Sequence, residues 1–354
     1  MTMVRKSGRF FGRSLVGRIR PRAWQPFWLW ALLLLWLILG WRPLTAHAEE
    51  GGGGHYQPGT LASAIDMLPL VTPVTAPRAS PFSVRLDSFG YDGNIAKPEQ
   101  AVPVGGMLAT RLDIDMKVLA LNLMWNPGRE FGDGWAYALG LSLPYVSLDV
   151  SANVEDDPVS GRTGFRHDSE DGIGDVLLLP VMLSTSLADD WYSEWRLGIY
   201  APTGRYEVGR LANPGRNHWT FSPSASVVYL QPMTGQEFVV SAGIDVNTEN
   251  AETHHRSGVQ GHLESTLIQH VMLLGGFTGI GLTGYWYQQL SADSGDGARF
   301  GDFKGMAAGV GPVLTYRKQF ANSEIVSELK WLNEFTTRRR PEGNTFAWKL
   351  RVNF

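Results

Sequence analysis

The sequence predicts an all-β protein, a closed antiparallel transmembrane β-barrel of about 12 strands with short periplasmic turns and longer extracellular loops. Three observations predict it: an N-terminal export signal, a series of alternating segments separated by turns, and a C-terminal strand with one apolar face. After residue 48 the chain has no run of about 18 apolar residues, the length that a membrane helix requires. In hydrocarbon every backbone polar group must be paired internally, so a chain without such helices crosses as a closed barrel.

Residues 1–48 have the organisation of a signal peptide. Basic residues precede an apolar stretch of 15 residues, 27–41, which is too short to cross a bilayer comfortably as a helix. The small residues of Ala46-His47-Ala48 predict cleavage between Ala48 and Glu49. An uncleaved inner-membrane anchor is the alternative. We expect export to the outer membrane of a Gram-negative bacterium.

Cleavage changes the charge of the chain. It removes eight of the 31 Lys and Arg and none of the 34 Asp and Glu, which leaves 23 basic and 34 acidic groups, formally −11. Nucleic acid is therefore not an expected partner. Cysteine is absent, so stability must come from hydrogen bonding and packing rather than from disulfides.

Residues 49–80 precede the first predicted strand and are predicted to form a periplasmic N-terminal extension or partial plug. The segment begins with glycines, contains six residues, Ala62 to Met67, that suit one or two helical turns, and continues through several prolines. It either folds into the periplasmic mouth of the barrel or hangs free as a disordered leader. The barrel itself is predicted over residues 81–354.

In twelve segments, which are separated by turn residues, the side chains alternate between two faces, and we interpret these segments as strands. They are 82–92, 109–126, 135–151, 172–186, 190–203, 217–231, 236–248, 258–270, 274–289, 302–318, 323–335 and 344–354. Connections after odd-numbered segments are mostly long and those after even-numbered segments mostly short. This asymmetry is typical of outer-membrane barrels with both termini in the periplasm. An even count also lets the sheet close without a bare edge.

The charged faces of several strands predict the lining of a pore. A charge on the lipid face near the midplane would cost roughly 2–4 kcal/mol, so the charged faces are assigned to the lumen. The predicted pore-lining residues are Arg111, Asp113, Asp115, Lys117, Glu194, Arg196, Glu328, Lys330, Lys349 and Arg351. Because they carry both signs of charge, we expect a transverse field that favours small polar or amphipathic solutes over pure hydrocarbons.

Two segments break the alternation. If Lys117 and the charges before it point inward, the strand must switch faces near Val118 and Leu119, and Pro144 interrupts the next segment. Bulges or bilayer edges are expected at both places. Glycines cluster in segments 274–289 and 302–318, and we interpret them as sites of strand bending and close backbone approach rather than of ligand binding.

The last segment is the predicted barrel-closing strand. Its apolar face consists of Phe346, Trp348, Leu350, Val352 and Phe354. We interpret this face as lipid-exposed, and the strand as the contact for the outer-membrane barrel assembly machinery; an ordinary half-buried strand is the alternative. Outer-membrane lipid, lipopolysaccharide and small organic solutes are the other expected partners.

The sequence predicts no catalytic site, no cofactor and no metal site, and we do not expect an enzyme. His255 and Ser257 would share a face of an extended chain and could suit a phospholipase-like dyad. No Asn or Asp is clearly placed to orient the imidazole. Histidine spacings give no tight ligand set, and the segment Asp293–Gly297 lacks the spacing of a calcium loop.

Several motifs resemble those of the proteobacterial outer-membrane family named for the meta-pathway of phenol degradation, whose members are often called transporters. They are the runs 171–175, 200–206, 215–221, 247–250, 287–289 and 340–344, together with His55-Tyr56 and Pro58-Gly59. The resemblance covers nearly all of the mature chain. It implies an outer-membrane channel that admits aromatic or other hydrophobic compounds, and it carries no established catalytic residues.

Passive uptake of small organic compounds is therefore the leading hypothesis. Roughly eight strands leave room for side chains or one small ligand and ~16–18 strands leave an aqueous pore, so about 12 strands fall between. A structural or assembly barrel with a blocked lumen is the first alternative. A lipid-modifying enzyme is the second.

Overall fold

The protein, seen in a computed structural model, is a single antiparallel sheet of 15 strands. The structure describes residues 54–67, 81–96, 101–104, 107–127, 130–131, 134–155, 163–298, 304–321 and 323–354. The predicted signal peptide and its cleavage site lie outside the described residues. Among the described residues, no helix has the length and apolar character needed to cross a membrane.

Twelve of the 15 strands follow the segments read from the sequence, and three further strands, at residues 102–104, 130–131 and 163–173, lie mainly in stretches read as connections. They are β1 (Phe82–Ile95), β2 (Val102–Val104), β3 (Met107–Trp125), β4 (Glu130–Phe131), β5 (Trp135–Glu155), β6 (Thr163–Ile173), β7 (Val176–Ala188), β8 (Trp191–Ala201), β9 (Thr220–Gln231), β10 (Gln236–Asn247), β11 (Gln260–Leu273), β12 (Gly276–Gln289), β13 (Met306–Gln319), β14 (Glu324–Arg338) and β15 (Glu342–Asn353).

Twelve of these strands close into a ring. Its order is β1, β3, β5, β7 and then β8 to β15 in sequence, after which β15 pairs with β1. The other three lie beside the ring, because β2 pairs with β3 and both β4 and β6 pair with β5. The predicted closed antiparallel barrel of about 12 strands is confirmed.

The closing strand is paired along both edges. β15 pairs with β1 from Asn353 opposite Ser83 to Glu342 opposite Asn94, and with β14 on its other side. Phe346 and Phe354 are exposed on the outer face, while Arg351 is almost fully buried on the inner face. The period of two in the sequence therefore corresponds to an outside and an inside of the barrel.

A wide apolar surface surrounds the barrel. Its members are large side chains that point outward from strands on all sides, among them Leu121, Leu143, Trp195, Phe221, Ile280, Leu314, Trp331 and Phe346. A contiguous exposed apolar surface of this kind is characteristic of a barrel that faces lipid.

The connections at the two ends of the barrel differ in length. Tight turns join β7 to β8 at residues 189–190, β9 to β10 at residues 232–235 and β11 to β12 at residues 274–275. We call this the turn end, and β1 begins and β15 ends there. At the opposite end, the loop end, residues 202–219 form the β8–β9 loop, the longest connection whose residues are all described.

The orientation of β3 corrects the assignment of four pore-lining residues. The outward face of β3 carries Arg111, Asp113, Asp115 and Lys117, followed by Leu119, Leu121 and Leu123. Its pairing with β1 continues from Leu112 to Trp125 without a register shift, so the strand does not switch faces near Val118. The four charges therefore face outward, and they are tolerated because they lie toward the loop end, beyond the apolar surface that begins at Leu119.

Pro144 lies where β5 changes its partner strand. β5 pairs with β7 as far as Ser142 and with β6 from Tyr145 onward. Between β6 and β7 the chain leaves the ladder at Gly174 and Asp175, and the amide of Gly174 donates to the carbonyl of Pro144 at 3.0 Å. The interruption predicted at Pro144 therefore lies opposite it, between β6 and β7, and Asp175 takes no part in strand pairing.

Glycine in β12 and β13 permits close approach between strands. A Cβ atom at Gly281 would lie 2.0 Å from the carbonyl oxygen of Leu267, and one at Gly311 would lie 1.7 Å from that of Trp331. Neither distance is sterically possible for a real side chain. These contacts support the steric interpretation of the glycine cluster.

Candidate functional site

Residues 54–67, which we call the lumen segment, lie inside the barrel. The segment forms turns rather than a regular helix. Tyr56, Ala62, Ile65 and Met67 are each no more than 5% exposed, although they belong to no strand. Ala62 and Met67 pack in one apolar cluster with inward side chains of β9 and β10. The lumen segment therefore fills space that the barrel walls alone would leave open.

Glu264 of β11 holds the first half of the lumen segment. Its Oε1 accepts hydrogen bonds from the Tyr56 hydroxyl and from the Gly59 amide, the latter at 2.8 Å. Its Oε2 accepts one from the Leu61 amide at 2.8 Å. Gly59 has a φ of 86°, and a Cβ there would lie 2.5 Å from Leu332 Cδ1, so the position favours glycine twice over.

Asp66 holds the second half through buried ion pairs. Its carboxylate lies 2.5 Å from Lys349 Nζ and 3.0 Å from the Arg85 guanidinium, and it accepts a hydrogen bond from Ser63 at 2.9 Å. Burial alone would raise the pKa of the Asp66 carboxyl. The charges of Lys349, Arg85 and Lys330 outweigh burial and hold that pKa well below its ordinary range, so Asp66 stays ionised.

Basic side chains from the walls also bind the carbonyls of the lumen segment. Arg351 donates to the carbonyls of Ile65 and Met67 at 2.9 and 2.7 Å. Three further donors reach the same stretch, with Lys330 bonded to Leu61, Lys349 to Thr60 and Arg196 to Asp66. These donors come from β8, β14 and β15, so the lumen segment ties several strands to one another.

The structure brings together six of the ten residues predicted to line a pore. Inside the barrel lie Glu194, Arg196, Glu328, Lys330, Lys349 and Arg351. They contact one another or the lumen segment; Glu328, for example, lies 3.5 Å from Lys330 and 3.7 Å from Lys349. Glu194 also pairs with Arg196, and Lys349 pairs with Asp66 of the lumen segment, whereas Arg351 binds carbonyls. The remaining four, on β3, lie on the outer surface and contribute nothing to this cluster.

A cavity of about 340 Å³ remains between the lumen segment and the loop end. One side, which we call the apolar wall, consists of inward side chains of β3 and β5: Ile114, Met116, Val118, Val146, Leu148 and Val150. The lumen segment, the β8–β9 loop and inward side chains of several other strands, among them β1, β7 and β8, form the other sides. A volume of this size suits one small organic molecule, since ligand pockets typically measure roughly 300–1,000 Å³.

His55 fastens the start of the lumen segment to the gap between β6 and β7. Its Nε2 lies 2.7 Å from Asp175 Oδ2, and its Nδ1 lies 2.8 Å from the Thr220 hydroxyl. Asp175 also accepts hydrogen bonds from the amides of Gly204 and Arg216 at 2.8 and 2.6 Å. Burial raises the pKa of Asp175, but the bond from His55 and the two amides outweigh it and lower that pKa below its ordinary value.

The β8–β9 loop covers the cavity. Arg210 of the loop pairs with Asp168 of β6 at 2.5 Å and also contacts Glu170, which holds the loop against the β5–β6 hairpin. Within the loop, Nδ1 of His218 donates to the carbonyl of Arg216 at 3.0 Å. Burial and the nearby charge of Arg216 lower the pKa of His218 to about 3, so its imidazole is neutral near pH 7.

His255 has a carboxylate partner that the sequence did not reveal. Its Nε2 lies 3.2 Å from Asp293, and Asp293 also accepts hydrogen bonds from Gly258 and Gln289. Asp293 thereby joins the loops that follow β10 and β12. Among the residues that the structure describes, no group of three or more His, Asp or Glu side chains is placed to hold a metal ion.

The sequence reading missed the residues that anchor the lumen segment, namely His55, Asp66, Arg85, Asp175 and Glu264. One signal for Glu264 was present, because it shares one face of β11 with the polar residues His262 and Thr266. His55 and Asp175 lie in motifs shared with the resembling family, but no role followed from that, and Asp66 and Arg85 had no local signal because their partners lie far away in the sequence.

Comparison with known proteins identifies one family. The model described as "Putative MetA-pathway of phenol degradation" matches residues 96–350. No curated protein sequence matches the chain significantly.

Solved outer-membrane structures are similar to the chain. An outer membrane channel from Pseudomonas putida F1 shares 15% identity with a TM-score of 0.57, over 80% of this chain and 99% of that one. The beta domain of the Bordetella autotransporter BrkA shares 12% identity with a TM-score of 0.39, over 77% and 99%. A Pseudomonas aeruginosa FadL homologue shares 9% identity with a TM-score of 0.40, over 78% and 90%. The first of these likenesses shows a common fold.

Proposed function

The chain belongs to the family of the MetA-pathway of phenol degradation, and on that premise we propose that it is an outer-membrane channel for passive uptake of small hydrophobic organic compounds. The observation that carries the proposal is the cavity of about 340 Å³ inside a closed barrel, bounded on one side by the apolar wall. An aliphatic surface inside a barrel has no role in conducting ions, but it binds apolar solutes. Binding gains about 25 cal/mol for each Å² of apolar surface removed from water.

The proposed location is the outer membrane of a Gram-negative bacterium, after removal of residues 1–48 near Ala48. The exposed apolar surface supports it, because water would be a poor solvent for that surface. The loop end would face outward, in contact with lipopolysaccharide, and the turn end would face the periplasm. We also propose that β15, with Phe354 at its end, is the strand through which the barrel assembly machinery binds the chain.

We propose that the lumen segment is the plug of this channel. Its Asp66 is paired with Arg85 and Lys349, which lie near the turn-end termini of β1 and β15, so a solute in the cavity would reach the periplasm only when the segment moves. We no longer expect a transverse electric field to select the solute, because inner charges such as Lys330 and Lys349 are paired with Glu328 and with Asp66 of the plug. The solute instead meets the apolar wall, which favours hydrophobic compounds.

Vesicle uptake of an apolar dye tests the proposal. The refolded protein is placed in liposomes, and entry of N-phenylnaphthylamine is followed by fluorescence beside release of a trapped sugar. We expect faster dye entry than in protein-free vesicles and little release of sugar, because the lumen segment closes the aqueous path. Dye entry at the protein-free rate would overturn the proposal.

A barrel with a permanently blocked lumen is the second candidate. The lumen segment is hydrogen-bonded to side chains of seven strands, β1, β8, β9, β10, β11, β14 and β15, and this dense bonding favours it. In that case the protein would stiffen the envelope or serve in assembly, and neither dye nor sugar would cross. Reversal of a luminal pair, such as Glu328→Lys with Lys349→Glu, would then change stability and leave permeability unchanged.

We propose a transport role and not an enzymatic one. Asp293, the partner of His255, is already committed to backbone and side-chain groups of two loops. Ser257→Ala should therefore leave the properties of the barrel unchanged. A phospholipase activity of the wild-type protein that this substitution abolished would overturn this part of the proposal.

A further inference from the structure

Arg216 differs from every other lysine or arginine that lines the cavity. Arg85, Arg196, Arg210 and Lys349 are all ion-paired, and Arg340 lies over the ring of Tyr287. The guanidinium of Arg216 has no ion pair or hydrogen bond with any residue that the structure describes. A cation left without a partner in a partly enclosed site carries a desolvation cost that an arriving anion would offset.

The backbone of Arg216 is fixed even though its side chain is not engaged. Its amide donates to Asp175 at 2.6 Å, and its carbonyl accepts a hydrogen bond from His218 at 3.0 Å. The amide of the preceding Gly215 is bonded to the carbonyl of Arg205 at 2.9 Å. The loop thus holds the residue in place and leaves its charged group available to the cavity.

The surroundings of Arg216 suit an anion. The imidazoles of His55 and His218 lie beside it, and its positive charge contributes to lowering the pKa of both. The nearby carboxylate of Asp175 is already bonded to His55 and two backbone amides. The other acidic residue of the cavity lining, Asp87, is paired with Arg85 at 2.7 Å. An incoming anion would therefore meet no uncompensated carboxylate among the described residues.

We propose that the cavity binds small carboxylates with an apolar body, the carboxylate on the guanidinium of Arg216 and the body along the apolar wall. This inference rests on the proposed uptake function and names its solute class. A guanidinium pairs with a carboxylate through two parallel hydrogen bonds, a geometry that an alcohol of the same length does not reproduce. Carboxylates should therefore bind more tightly than matching alcohols.

Binding of hexanoate and 1-hexanol tests the inference. Affinities are measured by NMR titration of the protein in lipid nanodiscs near neutral pH, where hexanoate is ionised. For the wild-type protein we expect hexanoate to bind about tenfold more tightly than hexanol, the ratio that one additional charged contact supplies. Arg216→Gln should bind the two compounds equally, with its hexanol affinity unchanged. Arg216→Lys should retain part of the preference because it keeps the charge.

Arg111→Gln is the matched control. Arg111 is an exposed arginine on the outer face of β3 and is not part of the cavity lining, so this variant should keep the full preference for hexanoate. Folding of each variant is checked by its heat-modifiable migration in gels. Equal affinities in the wild-type protein, or an unchanged preference in Arg216→Gln, would overturn the inference. If only this inference is wrong, the wild-type protein still takes up dye faster than protein-free vesicles do. If the proposed function is wrong, the wild-type protein shows no such uptake.

Discussion

The two halves of the barrel interior are built from different chemistry. Toward the turn end, charged side chains of β1, β8, β14 and β15 converge on Asp66 and the carbonyls around it. Toward the loop end, β3 and β5 present aliphatic side chains to a cavity of about 340 Å³. The charges hold a segment of the chain, and the aliphatic surface is left for a solute. We propose that the paired charges toward the turn end form the gate, and that the apolar wall, together with Arg216, forms the binding surface.

Deletion of residues 54–67, the lumen segment, should change the permeability of the barrel more than any other change considered. Without the lumen segment, the charged half becomes a hydrated pore, because a ring of 12 strands is wider than its side chains fill. Single-channel recording in a planar bilayer should show a large rise in conductance, and trapped sugar should leave vesicles. Conductance equal to that of the full-length protein, in a sample with the gel migration of a folded barrel, would show that the segment closes nothing.

Asp66→Asn should have the next largest effect. Removal of one partner from a buried ion pair costs about 3–5 kcal/mol, which corresponds to a shift of more than roughly 100-fold in the ratio of docked to undocked lumen segment. The closed fraction in single-channel recordings should fall accordingly. Asp115→Asn, on the outer face of β3, is the matched control and should gate like the wild type. Identical gating of the two variants would contradict the proposal that the buried charges around Asp66 keep the lumen segment closed.

Val118→Thr tests the aliphatic half alone. The substitution keeps the shape of the side chain but places a hydroxyl in the apolar wall, at a cost of about 1–3 kcal/mol if the hydroxyl finds no partner. We expect slower dye uptake at low dye concentration and unchanged ion conductance. A change in conductance without a change in uptake would reverse the roles given to the two halves.

Arg111→Ala and Lys117→Ala should have the smallest effects. Both side chains are exposed on the outer surface, where substitutions usually change stability by less than about 0.5 kcal/mol. Ion selectivity and conductance should match those of the wild type. A shift in ion selectivity would indicate that these side chains face the lumen and would contradict the orientation of β3.

Alternation predicted the barrel, but it did not by itself distinguish inside from outside. β15 has a uniform apolar side, and Phe346 and Phe354 on that side are exposed on the outer face of the barrel. β3 was misread because its outward charges lie near the loop end, where lipid no longer excludes them, and the sequence does not mark where the lipid ends. The anchors of the lumen segment join residues far apart in the chain, 205 positions for Gly59 and Glu264 and 283 for Asp66 and Lys349. Pairings at such separations leave no local periodicity to read.

The most direct test is to tether the lumen segment to the barrel wall. Ala62 and Val239 belong to one buried cluster, and the native chain has no cysteine, so Ala62→Cys with Val239→Cys supplies the only two thiols for a short bis-maleimide. Dye uptake is compared before and after the cross-link forms. Gating by this segment predicts uptake that is normal before the reaction and lost after it, while hydrophobic compounds still bind in the cavity. Uptake at an undiminished rate through the cross-linked protein would contradict it.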